Sequence, residues 1–257
     1  MKIAFFSDIH ANLPALEAFF QDLGKRDIDA VYCLGDLVGY NVWPNEVVEE
    51  IRNRRIPTIA GNYDFGIGRN SNECGCAYKT EEEKANGAVS ISLTNELISD
   101  RNRDYLKNLP AHIRVEYQLK EEKLNLLLVH GSPRKINEYL FEDRAEKSLL
   151  RIMEDAEADI MCFGHTHKPY HRILNSGDEQ NPYYRHAINL GSIGKPKDGD
   201  PRGCYVLLEI NESASVSKKE SIKPQFIRFG YPVEKAAKAV ENSKLPNTYA
   251  ENLRTGK

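Results

Sequence analysis

No apolar run in the 257-residue chain approaches the roughly 20 residues that a membrane span requires. Internal repeats with a period of about 20 to 50 residues, low-complexity tracts and composition shifts that would mark a linker are also lacking. Charge of one sign is not in excess either. The 35 basic and 38 acidic residues leave a formal charge of -3, so there is no broad electrostatic footprint for nucleic acid or a membrane surface. Met1 to Phe6 is apolar but much shorter than a signal h-region, lacks a small-residue cleavage site, and is soon followed by Asp8 and His10. Cysteine is scarce and odd in number. Of the five, Cys33, Cys162 and Cys204 lie in apolar runs, where a thiol behaves as a small hydrophobe, which fits a reducing compartment and a cytoplasmic protein. Cys74 and Cys76 form a C-x-C, but a structural zinc site needs a second pair and none is spaced for it. Plain loop thiols are expected there, with a redox or vicinal-disulfide role as the alternative.

What is present is the balance of an ordinary globular protein, 40% hydrophobic and 28% charged. Ile3 to Phe6 and Ala30 to Leu34 are short buried-strand runs on either side of a helical pattern from Pro14 to Leu23, a βαβ opening. A further helix over Asn45 to Arg52 and a run at Pro57 to Ala60 predict a third parallel strand. Tyr63 to Lys79 has no periodicity and reads as a loop. Thr80 and Glu83 then make a capping box for a helix ending near Ile98. Ile113 to Gln118 and Leu124 to Val129, with a charged turn at Glu121 to Lys123, predict a hairpin that opens a second sheet. After a helix over Arg144 to Ala156 and a strand at Asp159 to Phe163, short β-runs dominate until a helix at Val233 to Asn242. The expected fold is α/β, a four-layer α/β/β/α sandwich with two facing mixed sheets flanked by helices, in a single domain over residues 1–245. Residues 246–257, with Pro246, Asn247 and Gly256, are expected to form a flexible tail.

The chemistry sits where the strands end. DIH (Asp8 to His10), GD (Gly35, Asp36), GN (Gly61, Asn62), HG (His130, Gly131) and GHTH (Gly164 to His167) each follow an apolar run. Carboxylate, imidazole and amide groups gathered at strand ends are what a hydrolytic site with two divalent ions requires. A lone histidine is usually a surface or core residue; for His10, His130, His165 and His167 the shared location overturns that reading, while for His112, His171 and His186 it does not.

In this order the five segments resemble the calcineurin-like metallophosphoesterase superfamily, and GDLVGYNVWPNE and NLGSIGKPKDGDPR are similar to its bacterial and archaeal branch of small phosphoesterases. The resemblance implies that Asp8, His10, Asp36 and His167 hold one metal while Asp36, Asn62, His130 and His165 hold the second, with Asp36 bridging. A carboxylate suits that place, because it offsets the repulsion of two cations about 3.5 to 4 Å apart. Mixed nitrogen and oxygen donors without thiolate favour manganese or iron, with zinc, nickel or cobalt also compatible. The implied reaction is hydrolysis of a small phosphorylated substrate, a phosphomonoester, phosphodiester or nucleotide, by hydroxide attack at phosphorus. The alternatives are a protein phosphatase or a non-catalytic binding module on the same fold. Asp36, Asn62, Tyr63 and His165 are the implied catalytic residues, and Asn62, Tyr63 and Arg202 the expected substrate contacts.

One position departs from the family pattern. Tyr63 stands where a histidine usually follows GN, and a phenol with a pKa of about 10 cannot cycle a proton at neutral pH as imidazole does. Good leaving groups would suffer least, and Tyr63→His is expected to help poor ones. Asp64 is expected to bond Tyr63 or backbone. Asn189, Gly191, Ser192 and Gly194 form a polar turn that orients the histidines, presents amides to phosphate or is merely tight, and Lys195, Lys197 and Arg202 form a candidate basic lip or a solvated loop. The loops carrying Arg69 and Arg134 are expected to select substrate, and Trp43 is expected to anchor its loop on the core, with stacking on a base or aryl group as the alternative.

Overall fold

The computed structural model describes residues 1–120 and 122–257. Strand β1 (Lys2–Phe6) leads through helix α1 (Leu13–Leu23) to β2 (Ala30–Cys33), its parallel neighbour. Four helices follow: α2 (Pro44–Asn53), α3 (Asn62–Gly68), α4 (Glu81–Leu97) and α5 (Asp100–Lys107). The hairpin of β3 (His112–Gln118) and β4 (Lys123–Val129), helix α6 (Glu146–Asp155), β5 (Ile160–Phe163), β6 (Tyr170–Asn175) and β7 (Tyr184–Asn189) complete the middle of the chain. Strands β8 (Gly203–Glu209) and β9 (Gln225–Phe229) return to the first sheet before helices α7 (Val233–Glu241) and α8 (Asn247–Thr255). The strand orders are β2-β1-β8-β9 and β3-β4-β5-β7-β6, and both sheets mix parallel and antiparallel pairs.

The alternation of side chains explains why the sheets face each other. Ile3 and Phe5 of β1, Val206 and Leu208 of β8, Leu124, Leu126 and Leu128 of β4 and Ile160 and Cys162 of β5 share one buried cluster between the sheets. Their sequence neighbours point the other way. Ala4, Phe6, Tyr205 and Leu207 meet α1, α2, α7 and α8, and Leu127, Val129, Met161 and Phe163 meet α6. Each large side chain buried in these strands contributes roughly 1.5 to 3 kcal/mol, and with both faces apolar each inner strand needs a layer on either side. The result is the expected two mixed sheets flanked by helices. No helix among the described residues is long and apolar enough to cross a membrane.

Three expectations are corrected. Pro57 to Ala60 does not form a third strand: it makes one parallel bridge, Cys33 with Thr58, and Ala60 N then donates to Pro110 O, drawing the chain out of the sheet. The segment after Asn62 is not all loop, because α3 occupies Asn62–Gly68. Two glycines make it a poor helix by propensity; it is held by tertiary contacts, with Asp64 accepting from Gly61 N and Leu37 N, both at 2.9 Å. Residues 246–257 are not a flexible tail. Pro246 caps α8, Gly256 ends it at φ 69°, and Tyr249, Ala250 and Leu253 are buried in one cluster with Ala236, Ala237 and Val240 of α7. Proline before a helix and glycine after it punctuate the helix without breaking it. Of the capping box expected at Thr80 and Glu83, the threonine half forms, its side chain accepting from Glu83 N at 3.1 Å, while the Glu83 carboxylate accepts from Lys79 N at 2.6 Å in place of Thr80 N. Within the hairpin turn, Glu121 lies outside the described residues.

Candidate metal centre

Strands β1 and β2 run parallel in one sheet and β4, β5 and β7 in the other, and their carboxyl ends meet at one rim. Asp8 N donates to Gly35 O, Gly164 N to His130 O and Gly194 N to Asp8 O, which laces the loops after β1, β2, β4, β5 and β7 together. The backbone there is strained. Asp8, His10, Asp36, His165 and His167 all have φ between 50° and 66°, a left-handed region that residues with a Cβ seldom occupy and that surrounding contacts must enforce. Two glycines permit the close packing. A methyl group on Gly61 would collide with Asp36 Oδ1, and one on Gly164 with Asp8 Oδ2.

Asp8, His10, Asp36 and His167 bring one donor atom each to within 4.8 Å of one another, and so do Asp36, His130 and His165. Asn62 joins the second group, its Oδ1 lying 3.1 Å from His130 Nε2. All are buried. Their hydrogen bonds fix the protonation of the rings. His10 Nδ1 lies 3.0 Å from Val38 O, His130 Nδ1 2.8 Å from Leu34 O, and His167 Nδ1 2.6 Å from Lys195 O. A carbonyl cannot donate, so each Nδ1 carries the hydrogen and each ring turns its Nε2 inward, bare in every ring that is neutral.

Those bare nitrogens meet other acceptors. His10 Nε2 is 3.1 Å from His167 Nε2, and His167 Nε2 is 3.2 Å from Asp8 Oδ1. Asn62 Nδ2 donates to Cys74 O at 2.7 Å, which leaves its oxygen toward His130. Asp8 Oδ1 and His165 Nε2 are buried without any hydrogen-bond partner. Lone pairs packed against lone pairs in a dry site are costly unless a cation lies among them. Asp36 stands between the two groups: Oδ1 accepts from Tyr63 N at 2.9 Å, while Oδ2 lies 3.5 Å from His10 Nε2 and 3.4 Å from His130 Nε2. The donor set of imidazole, carboxylate and amide oxygen fits divalent metal binding.

Electrostatics agree. Burial lowers His10 and His165 to about 3 and His167 well below its ordinary value, so these rings are neutral and able to ligate. Burial opposes charge on His130 too, but the adjacent Asp36 carboxylate overrides it and raises that imidazole to about 10. A proton is therefore the competitor that a metal must displace at His130.

The closing turn orients the site. Asn189 Nδ2 donates to Gly164 O at 2.9 Å and to Thr166 Oγ1 at 3.0 Å, and Ser192 Oγ donates to Asp8 O at 2.6 Å. Asp64 bonds only backbone amides, the structural role that was one of its two expected ones. Trp43 packs half-buried against the core, as an anchor does. His186 lies in register with Ile160, three residues before Asn189 in β7, and its hydrogen bond goes to His171.

Two expected residues are not where their roles require. Tyr63 is wholly buried: its ring packs edge-on against His10 at 5.4 Å and tilted against Tyr40 at 4.8 Å, and its hydroxyl has no hydrogen-bond partner. Burial, with Tyr40 and Cys76 nearby, pushes that phenol well above its ordinary pKa. A group with no open face cannot hand a proton to a leaving group, so the catalytic and substrate-contact roles expected of Tyr63 are corrected to packing behind the metal ligands. Arg202 is spent on Asp200, with Nε–Oδ1 at 3.0 Å and Nη2–Oδ2 at 2.6 Å, and no hydrogen bond or ion pair joins it to the donor groups. Of the candidate lip, Lys195 and Lys197 come closer: Lys195 supplies the carbonyl that fixes His167, and Lys197 N lies 3.3 Å from His167 O. Sequence reading missed Tyr139, whose ring lies 4.0 Å from that of His165, and Tyr40, which packs edge-on at 4.8 Å from His10. Neither stands in a motif that could have announced it.

Fold and site together define a metal-binding hydrolase of the two-sheet sandwich kind. The chain belongs to the calcineurin-like phosphoesterase superfamily, whose domain it matches over residues 1–213. It is 31% identical over 268 aligned residues to an uncharacterized protein of Methanocaldococcus jannaschii, MJ0912, covering 99% of this chain and 98% of that one. A crystal structure of a metallophosphoesterase from Sphaerobacter thermophilus superposes with a TM-score of 0.72 at 26% identity, covering 100% and 99% of the two chains. A UDP-2,3-diacylglucosamine hydrolase of Shewanella piezotolerans is 26% identical over 208 residues, 69% of this chain and 87% of that protein.

Proposed function

We propose that the protein hydrolyses phosphoester bonds of small substrates, phosphomonoesters, phosphodiesters or nucleotides, with two divalent transition-metal ions. One ion would be held by Asp8, His10, Asp36 and His167, the other by Asp36, Asn62, His130 and His165. The observation that carries the reading is the inward convergence of bare acceptors, above all His10 Nε2 on His167 Nε2 and the orphaned Asp8 Oδ1 and His165 Nε2. Manganese or iron is the first choice for this donor set. Such a pair supplies a hydroxide nucleophile at neutral pH and charge stabilisation at phosphorus.

The chain's own residues do the rest. Backbone carbonyls of Leu34, Val38 and Lys195 hold three imidazoles in the ligating tautomer. Asp36 shares one oxygen between the groups while its other oxygen is pinned by Tyr63 N. Burial lowers the pKa of Lys197 while the charges of Cys76, Asp8 and Asp36 oppose that fall, and its ammonium form near the two carboxylates favours an anionic substrate. With Tyr63 buried, its phenol does not serve as leaving-group acid, which favours esters of acidic alcohols or phosphoanhydrides. The Shewanella relative is named for a nucleotide-bearing substrate, which supports including nucleotides. The five free thiols support a cytoplasmic setting.

The test is hydrolysis of bis(p-nitrophenyl) phosphate by protein reloaded with Mn²⁺. Asp36→Asn is expected to lower turnover on the order of 10³-fold with the circular dichroism spectrum unchanged. Undiminished turnover in a folded Asp36→Asn protein would refute the site.

A further inference from the structure

The loop between β4 and α6 carries aromatic rings in a line that starts on a metal-centre histidine. Tyr139 lies on His165 with ring centroids 4.0 Å apart, and Phe141 lies on Tyr139 at 5.6 Å and within 13° of parallel. Between them Leu140 is buried and its carbonyl accepts from Tyr170 Oη at 2.8 Å, which leaves Phe141 turned outward. Phe141 is 44% exposed. Phe65 is exposed to a similar degree, but the Arg69 guanidinium covers its ring at 3.7 Å. Phe141 has Tyr139 on one face and solvent on much of the rest.

The line is set before any ligand arrives. Tyr139 Oη accepts from Ala77 N at 3.4 Å and Asn137 Nδ2 donates to Gly75 O at 2.9 Å, so two loops that flank the centre are tied to each other. Glu138, between those residues, accepts from Ser132 Oγ at 2.5 Å and pairs with Arg144 at 3.1 Å and with Arg134. A rigid loop that leaves a large apolar ring in water beside a charged, buried donor cluster forgoes burial energy which a flat ligand could recover. Aromatic faces attract flat π systems in offset stacks, and preorganised rings lose little entropy when a ligand binds.

We propose that Tyr139 and Phe141 form a subsite for a flat π ring, an aryl group or a nucleobase, carried by the phosphorylated substrate. The assignment rests on the phosphoesterase reading for the identity of the attached group. Phosphate engages the metal centre and the Lys197 side, while the ring extends from His165 along Tyr139 toward Phe141. Tyr139 and Phe141 are then specificity residues, and what they govern is affinity for ring-bearing ligands more than turnover.

Calorimetry on Mn²⁺-loaded protein separates the two claims, with phenylphosphonate and methylphosphonate as probes that are not hydrolysed. Phenylphosphonate is expected to bind roughly tenfold more tightly than methylphosphonate. Phe141→Ala, at an exposed position, and Tyr139→Leu should each erase most of that advantage without weakening methylphosphonate, and Tyr139→Phe should retain it. An absent preference in the wild type, or one unchanged in both Phe141→Ala and Tyr139→Leu, would overturn the subsite. Ethyl p-nitrophenyl phosphate and p-nitrophenyl phosphate, a diester and a monoester, test the hydrolytic reading separately: no turnover of either together with an intact phenyl preference would sink that reading and keep the subsite. Esters carrying phenyl or thymidine in place of ethyl tell the ring sources apart, because the KM lowered by the subsite, and restored upward by Phe141→Ala, marks the ring it takes. Because the p-nitrophenyl group is itself a ring, equal KM for all three esters overturns the subsite when Phe141→Ala also leaves every KM unchanged.

Discussion

Two histidine pairs in this protein stand at nearly the same separation and behave differently. His10 and His167 approach at 3.1 Å through their Nε2 atoms, and His171 and His186 at 3.0 Å through Nε2 and Nδ1. In the first pair both remaining nitrogens are committed to carbonyls, so neither ring has a hydrogen to offer the other. In the second no carbonyl claims the remaining nitrogens, so one ring can donate and the other accept, and the rings stack within 16° of parallel. Distance alone does not distinguish a metal site from a packed core pair; the partners of the far nitrogens do.

The sharpest way to break this comparison is to supply the cation. Metal at about 100 times its dissociation constant is expected to stabilise the wild type by about 2.7 kcal/mol, read as a rise in Tm of roughly 5 to 10 °C. Asp8→Asn should lose most of that rise, whereas His171→Phe should keep it. A Tm indifferent to Mn²⁺, Fe²⁺ and Zn²⁺ would mean the first pair is not held for a metal.

Next in size is removal of α8. Tyr249 packs edge-on against Tyr40 at 5.2 Å, Lys195 Nζ lies over the Tyr40 and Tyr249 rings at 4.7 and 5.8 Å, and Gly199 N donates to Gly256 O at 2.8 Å. The helix thus backs the segment whose Lys195 carbonyl fixes His167. Truncation after Leu245 is expected to weaken metal binding roughly 10- to 100-fold while leaving the contact between His171 and His186 in place; unchanged affinity by metal titration would show that the turn stands without it.

The second pair has its own signature in acid. Burial, and then His171, lowers His186 to about 3, and burial also lowers His171, with Glu220 opposing. Unfolded imidazoles take protons near pH 6.5, so between about pH 6.5 and 3 the unfolded chain binds more protons than the folded one. Stability from this pair is therefore complete above pH 6.5 and declines as pH falls toward 3. Denaturant melts of metal-free protein should show a flatter acid limb for His186→Leu than for the wild type, and parallel limbs would remove the assignment.

The smallest effect is expected at Tyr63. Tyr63→Phe removes a buried hydroxyl that has no partner, so activity should hold and stability should stay level or rise by about 1 kcal/mol. A large fall in kcat would restore the proton-donor role. For the same reason Tyr63→His should not help poor leaving groups, because the imidazole would sit in the packing behind His10.

Much of this is legible in the sequence alone. The alternation in Leu124 to Val129 and the apolar run of Ile160 to Phe163 announced strands buried on both faces, and the five short motifs named every donor the structure gathers. What escaped was of two kinds. In α3 and α8, glycine, proline and asparagine read as loop because local propensity was outweighed by contacts such as Asp64 on Leu37 N and Leu253 in the core. At Tyr63, Arg202 and Tyr139, residue type and motif position carried no information on which way a side chain would face.

The sequence by itself therefore determined the strand periods, the kinds of donor groups and their places at strand ends, since those follow from backbone geometry and side-chain chemistry within a few residues. Only the tertiary structure decided that His10 and His167, 157 positions apart, confront each other as bare acceptors, that Tyr63 is sealed in, and that Phe141 is left facing water. Protonation, burial and open faces are set by neighbours that the chain brings in from far away.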